Sequence, residues 1–263
     1  LVLGAGGGTV ELGNASWGLG SSISGDGALT VTGAGGSLGL GATGSYKGGT
    51  VVQGGASVVT SASGAFGSGA VQQQGSGTRV TLFGAASAAS NAYVIGRAGS
   101  ADSDNRLSFA QNATGGNANI TVNGTGWQSP TANAVQFADT TSAGTATIAN
   151  QGGAVYFQQN ASAGGATITN GADSLLNFLG AATAGSAKID NAKGGTVYFA
   201  DGSAGAGASI ANAAGGVVDV SGSTSKTGLE LGSLSGAGGV VLGATQLTLG
   251  GLNAGDTISG TVS

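Results

Sequence analysis

Apolar and polar residues alternate in short runs along this chain, and from residue 107 to 222 the runs keep a fixed beat. Aligned on isoleucine, one run reads NANITVN, GTATIAN, GGATITN, SAKIDN and GASIAN. A second run follows each of these: AVQFAD, AVYFQQ, LLNFLG, TVYFAD and VVDVSG. Alternation with period two marks a strand with one buried face. The first strand therefore turns Ala118, Ala146, Ala166, Ala187 and Ala208 inward, together with Ile120, Ile148, Ile168, Ile189 and Ile210. Its outward column is Asn119, Thr147, Thr167, Lys188 and Ser209. The second strand buries Val135/Phe137, Val155/Phe157, Leu176/Phe178, Val197/Phe199 and Val218/Val220, with Gln136, Tyr156, Asn177, Tyr198 and Asp219 outward.

Three registers march together. Phe137, Phe157, Phe178, Phe199 and Val220 are 20, 21, 21 and 21 residues apart, and the isoleucines keep the same step, as do Asn150, Asn170, Asn191 and Asn212. A meander of hairpins has no reason to hold so strict a period. Two short strands per repeat predict successive coils of a parallel β-solenoid, in which like side chains stack in ladders. From Phe to the next Ile the spacing is 11 residues in five successive cases, whereas Ile to Phe varies from 17 (120 to 137) to 10 (168 to 178). One corner is therefore rigid, and the other accepts insertions, at 100–106 and 123–134. Asparagine at a corner tolerates left-handed backbone and bonds local amides. Stacked at ~4.8 Å, these side chains form either an amide ladder or a polar binding stripe, and their place on the isoleucine face favours the ladder. The Gly pairs 152–153, 194–195 and 215–216 supply positive φ angles.

The same texture, with a looser period, runs through 1–106 (ALTVTG, SLGLG, GTVVQGGASVVT, RVTLFG) and 223–263 (LELGSL, GVVLG, QLTLGG). No linker intervenes. The expected organisation is one continuous solenoid over 1–263, about a dozen coils of about 21 residues and on the order of 60 Å long.

Composition narrows the chemistry. The chain of 263 residues carries 57 Gly but lacks collagen's every-third spacing. It is 40% hydrophobic and 7% charged, so it can bury a core and does not match a disordered chain. A net charge of -4 with singly scattered Lys and Arg argues against a nucleic-acid partner. Without His, Cys or Met there is no thiolate or imidazole metal site, no Ser-His or Cys-His catalysis and no disulfide. No cofactor is expected. No signal peptide or membrane helix is visible, and the chain reads as a processed or excised piece of something longer.

The stretch 27–58, GALTVTGAGGSLGLGATGSYKGGTVVQGGASV, resembles the passenger-associated repeat of bacterial autotransporters through Gly27, Leu29, Gly33, Gly35, Leu38, Leu40, Gly41, Tyr46, Gly48-Gly49-Thr50, Val52 and Gly54-Gly55. Ser45 stands where the family usually has Asn, and Ala56 where Thr is commoner. The repeats at 141–222 and the segment 231–251 are also similar to passenger sequence. The resemblance implies an all-β, single-stranded right-handed parallel β-helix, secreted and carried to the cell surface by a C-terminal outer-membrane barrel. It implies a stalk, adhesin or biofilm component, with host or cell-surface ligands. The runner-up is a filament subunit stacking end to end, because solenoid ends leave unpaired edges and neither LVLGAGG nor DTISGTVS forms an obvious polar cap.

Catalysis is not expected. Glycosidases need two carboxylates ~5–10 Å apart, but Asp139 and Asp201 stand three coils apart, about 14 Å, and Asp219 occupies another column. Asp102 and Asp104 in SADSDNR offer alternate oxygens for calcium, against a turn held by Asx hydrogen bonds. Trp127, in the insertion NGTGWQSPTANA, is either an exposed contact or a cap on the coil beneath. Tyr156 and Tyr198 either stack on sugar or protein, or pack across strands. An ice-binding threonine lattice is broken by Lys188.

Overall fold

The backbone winds into a parallel β-solenoid; the computed structural model describes residues 1–263 and contains no helical residue. Each coil contributes one strand to a twelve-stranded sheet and, in all but one case, another to an eleven-stranded sheet. The first includes Asn119–Asn123, Thr147–Gln151, Thr167–Asn170, Lys188–Asn191 and Gly205–Asn212 and is called here the isoleucine sheet. The second, the phenylalanine sheet, includes Arg106–Phe109, Ala134–Phe137, Ala154–Phe157, Leu175–Phe178 and Thr196–Asp201. Corners also pair from coil to coil, as in the bonds from Asn160 N to Asp139 O, Ser162 N to Thr141 O and Thr183 N to Ala161 O. Both sheets run without interruption through 1–106, 107–222 and 223–263.

Register follows the repeat. Ile120, Ile148, Ile168, Ile189 and Ile210 are direct partners in succession, and so are Phe109, Phe137, Phe157, Phe178 and Phe199. The strand spacing presses these rings into one near-parallel stack, with centroids 4.5, 4.8, 5.1 and 4.8 Å apart and planes within 11°. Each such contact contributes about 0.5–1.5 kcal/mol beyond the area it buries. A single cluster of 53 buried residues fills the interior from Leu3 to Val240.

The asparagine column lies inside and forms an amide ladder. Asn150 Nδ2 donates to Asn170 Oδ1 (3.0 Å), Asn170 to Asn191 (2.9 Å) and Asn191 to Asn212 (2.9 Å). The Nδ2 groups of Asn150, Asn170 and Asn191 also reach across the corner to the phenylalanine-sheet carbonyls of Leu175, Thr196 and Val217, and Asn212, which ends the ladder, donates to that of Gly239. The adjoining Gly pair has two separate tasks. Gly194 takes φ of +81°, while a Cβ on Gly195 would stand 2.6 Å from Asn191 Oδ1, so one glycine makes the turn and the other leaves space for the ladder.

The cross-section has a third side that the two-strand reading of the repeat does not contain. Within the rigid corner, Ser87, Thr114, Ser142, Ser162 and Thr183 form single parallel bridges from coil to coil. Each hydroxyl accepts the N–H two residues on, at 2.9–3.1 Å. Ala161 and Ala163 turn inward on either side of Ser162. A second device precedes it. Gln111, Asp139, Gln159 and Asp201 adopt φ of 55–59° at equivalent positions, and each side chain bonds the N–H at the same corner of the preceding coil. These two ladders explain why Phe to Ile never departs from 11 residues.

Candidate functional site

The outer face of the phenylalanine sheet changes character along the axis. One outward column runs Ser57, Arg79, Arg106, Ala134, Ala154, Leu175 and Thr196. The neighbouring one runs Val59, Thr81, Ser108, Gln136, Tyr156, Asn177 and Tyr198, then Asp219. Although they face away from the core, Ala134, Ala154 and Leu175 are buried. They form a second apolar cluster, against which Trp127, Tyr156 and Tyr198 pack. The strand Leu175–Phe178 is consequently buried on both faces.

The insertion creates this arrangement. Rather than standing out from its corner, the segment after Asn123 runs along the axis over two later coils: Gly124 and Gly126 donate to the carbonyls of Gln151 and Gly152, and Trp127 N donates to Asp173 O at 3.0 Å. Trp127 is thereby carried onto the phenylalanine sheet and is half-buried. The three aromatic residues singled out by sequence, which lie on separate coils, thus share one patch. The insertion lies along the sheet, and the Trp127 side chain packs on the Ala134–Ala154–Leu175 cluster while staying partly exposed.

Between Tyr156 and Tyr198 sits Asn177, the direct strand partner of both. It is 8% exposed, and its Oδ1 is buried without a hydrogen-bond partner. A buried acceptor left unpaired costs about 1–3 kcal/mol, and no feature of the solenoid's own pairing requires an amide there. The Tyr198 ring extends over the next coil, where a Cβ on Gly222 would collide with its hydroxyl. Gln136, next in the column, bonds Gln158. Beside Trp127 a recess of about 320 Å³ is lined by Thr125, Gly126, Gln128, Ser129 and Asp173. Farther along the same sheet, an apolar recess of about 260 Å³ over Gly18, Gly39 and Val59 contains no titratable side chain.

The acidic insertion is tied down by arginine. Asp102 accepts from Arg97 N, Nε and Nη2 at 2.9, 3.0 and 3.0 Å. Those Arg97 hydrogen bonds, against the opposing effect of burial, pull its carboxyl down to about 2. Asp104 pairs with Arg79 at 2.9 Å and lies 3.9 Å from Arg106. Both carboxylates therefore have guanidinium partners, and no group of three or more acidic side chains is placed to hold a metal ion. The expected bonding of an acidic side chain to a local amide is present, from Arg97 N to Asp102 Oδ2, with the ion pairs added to it. A buried relay, invisible to the spacing argument, fastens the two insertions together. Asn105 Oδ1 takes the N–H and hydroxyl of Thr78, Asn105 N donates to Asn133 Oδ1, and Asn133 Nδ2 donates to the carbonyls of Asp102 and Asn123. The available signal was an Asn immediately before each of the second strands RLSF and AVQF.

The other candidate acids serve the backbone: Asp139 Oδ2 accepts Gln111 N, Asp201 Oδ2 accepts Gly180 N, and Asp219 Oδ1 accepts Ser221 N. Comparison with known proteins brought no match: no family model, no curated protein and no solved structure is significantly similar to the chain. The arrangement of the patch is what remains to speak for function: two tyrosines flanking an unpaired amide, with a tryptophan on the apolar cluster alongside.

Proposed function

We propose that this chain is an extracellular structural and adhesive domain of a bacterial surface protein, of the autotransporter-passenger type, acting as a stalk, adhesin or biofilm component without catalysis. The observation that carries the reading is the aromatic patch itself. A solenoid whose interior is a set of uniform ladders diverts one insertion to assemble Trp127, Tyr156 and Tyr198 on its outer surface. Aromatic clusters of this kind are where binding energy concentrates. Coil-by-coil contact suits folding as the chain emerges from an outer-membrane barrel, and the absence of Cys and the 7% charged content suit export in an extended state. The polysaccharide-acting alternative loses support because Asp139, Asp201 and Asp219 are engaged by backbone N–H groups.

The test is display of the domain on cells that lack other adhesins. Cells should aggregate or attach to surfaces, and the effect should fall severalfold when Tyr156 and Tyr198 are both replaced by Ala. Display with no gain in attachment or aggregation would overturn the reading. A second reading has its own observation. The five exposed large hydrophobic residues, Leu1, Val2, Trp17, Leu252 and Val262, all lie on the first or last coils, which favours end-to-end stacking into filaments. Electron microscopy separates the two: fibres one coil wide indicate assembly, and discrete rods a stalk or adhesin.

A further inference from the structure

We infer that the patch formed by Tyr156, Asn177, Tyr198 and Trp127 binds a neutral oligosaccharide chain. This rests on the adhesive reading and names the chemistry of its ligand. Four features point to a sugar. Tyr156 and Tyr198 are two strands apart, about 10 Å at the strand spacing, comparable to the length of a disaccharide, so successive rings of one chain can each meet an aromatic surface. Pyranose rings present apolar C–H faces to such surfaces and hydroxyls at their edges, which matches aromatic side chains interleaved with amides.

The second feature is Asn177, nine-tenths buried, with Oδ1 unpaired between the tyrosines. A hydroxyl is the donor that position lacks, and a rotation of the amide about χ2 brings either of its polar atoms to the ligand side. The third is charge. The outward column from Thr81 to Tyr198 has no ionic side chain; Asp173 lies at the foot of the Trp127 loop and Asp219 beyond Tyr198, while Arg79 and Arg106 of the neighbouring column are engaged by Asp104. The patch therefore offers a sulfated or carboxylated polymer no unpaired cation. Finally, a peptide partner has no strand edge to extend here, because every strand from Ala134 to Asp201 in this sheet is already paired on both sides.

The whole chain should be titrated with maltohexaose, cellohexaose and a hexamer of N-acetylglucosamine, with a heparin hexasaccharide as the charged comparison. Calorimetry and tryptophan fluorescence supply the readouts. The expected result is saturable binding of at least one neutral hexamer and none of heparin. Tyr156→Ala and Tyr198→Ala should each weaken that binding about tenfold or more, the equivalent of roughly 1.4 kcal/mol. Asn177→Val should weaken it as well while leaving the unfolding midpoint unchanged or higher, since it removes an unpaired buried acceptor. That pair of readouts separates ligand recognition from folding. No binding of any neutral hexamer overturns the inference, as does binding of heparin alone. A peptide display library that selects ligands blocked by Tyr156→Ala, with no response to the sugars, overturns it in favour of a protein partner. Displayed cells that still adhere without any sugar response would sink only the ligand assignment. Sugar binding without adhesion would sink the adhesive reading and leave the site standing.

Discussion

From Ala134 to Asn212 each main inward column repeats one kind of residue, whereas from Gly8 to Leu82 the same columns are mixed. The column that holds isoleucine in the later coils reads Gly8, Leu29, Thr50, Val71 and Tyr93 in the earlier ones. The asparagine column continues from Val10, Val31, Val52, Gln73, Ile95 and Val122. The phenylalanine column continues from Leu19, Leu40, Thr60 and Leu82. Yet backbone pairing is equally continuous in both regions. Alternation alone is therefore enough to close a coil. Identity between coils adds something separate, stacked rings and linked amides that act along the axis. Where a mixed column contains a polar residue, it finds a local partner instead: Thr50 pairs with the Tyr46 hydroxyl at 2.5 Å, and Gln73 Nε2 bonds the Thr78 and Arg106 carbonyls at 3.0 and 3.1 Å.

Substitutions can break this contrast in order of size. Phe157→Ala should cost about 3–5 kcal/mol of stability in urea denaturation, because it empties the centre of a five-ring stack. Leu38→Ala, in a mixed coil, removes burial without stacking and should cost about 2–4 kcal/mol. Equal losses would show that the ring ladder adds nothing beyond area. Asn170→Val should cost about 1–3 kcal/mol, since it leaves the Thr196 carbonyl and Asn191 Oδ1 without their donor. Replacing Asn150, Asn170, Asn191 and Asn212 together by Val should cost less than four times the single loss. The earlier coils already accept valine at that corner, and the ladder's internal bonds disappear as a set.

A smaller effect concerns pH. The folded pKa of Asp102 is depressed to about 2 from 3.8 by its Arg97 hydrogen bonds. Its contribution is therefore complete above pH ~4 and is lost as pH falls toward 2. Wild type should lose stability over that window, and Asp102→Asn, weaker at pH 6, should lose less there. Parallel slopes for the two proteins would contradict the assignment. Smallest of all, Lys47→Ala should leave the unfolding midpoint where it was. The Lys47–Asp26 pair joins two side chains that are 72% and 71% exposed, and pairs in water contribute little.

Much of the frame was readable without coordinates, for a definite reason. Period, inward columns and the contrast between a fixed and a variable corner are properties of spacing along the chain, and stacking converts equal spacing into direct register. So Phe157 lies on Phe178, and Asn170 on Asn191, because the backbone ladder allows no other alignment. The Ser/Thr bridges and the Gln/Asp corner side chains were present in the letters, at Ser142, Ser162 and Thr183 and at Asp139, Gln159 and Asp201. They escaped notice because small polar residues in a Gly-rich turn look alike until their hydrogen bonds are seen.

The patch belongs to another category. Sequence marked Trp127, Tyr156 and Tyr198 one by one and assigned them to different coils. It also counted Asn177 as merely outward, although it is buried between the two tyrosines of its column. Only the tertiary structure decided that the insertion lies down along the axis, through the bonds of Gly126 to Gly152 and Trp127 to Asp173. A repeat dictates what stacks on what, since each coil copies the last. The direction of an insertion has no copy to follow, and is settled by whichever backbone groups and apolar surface it meets across the coils.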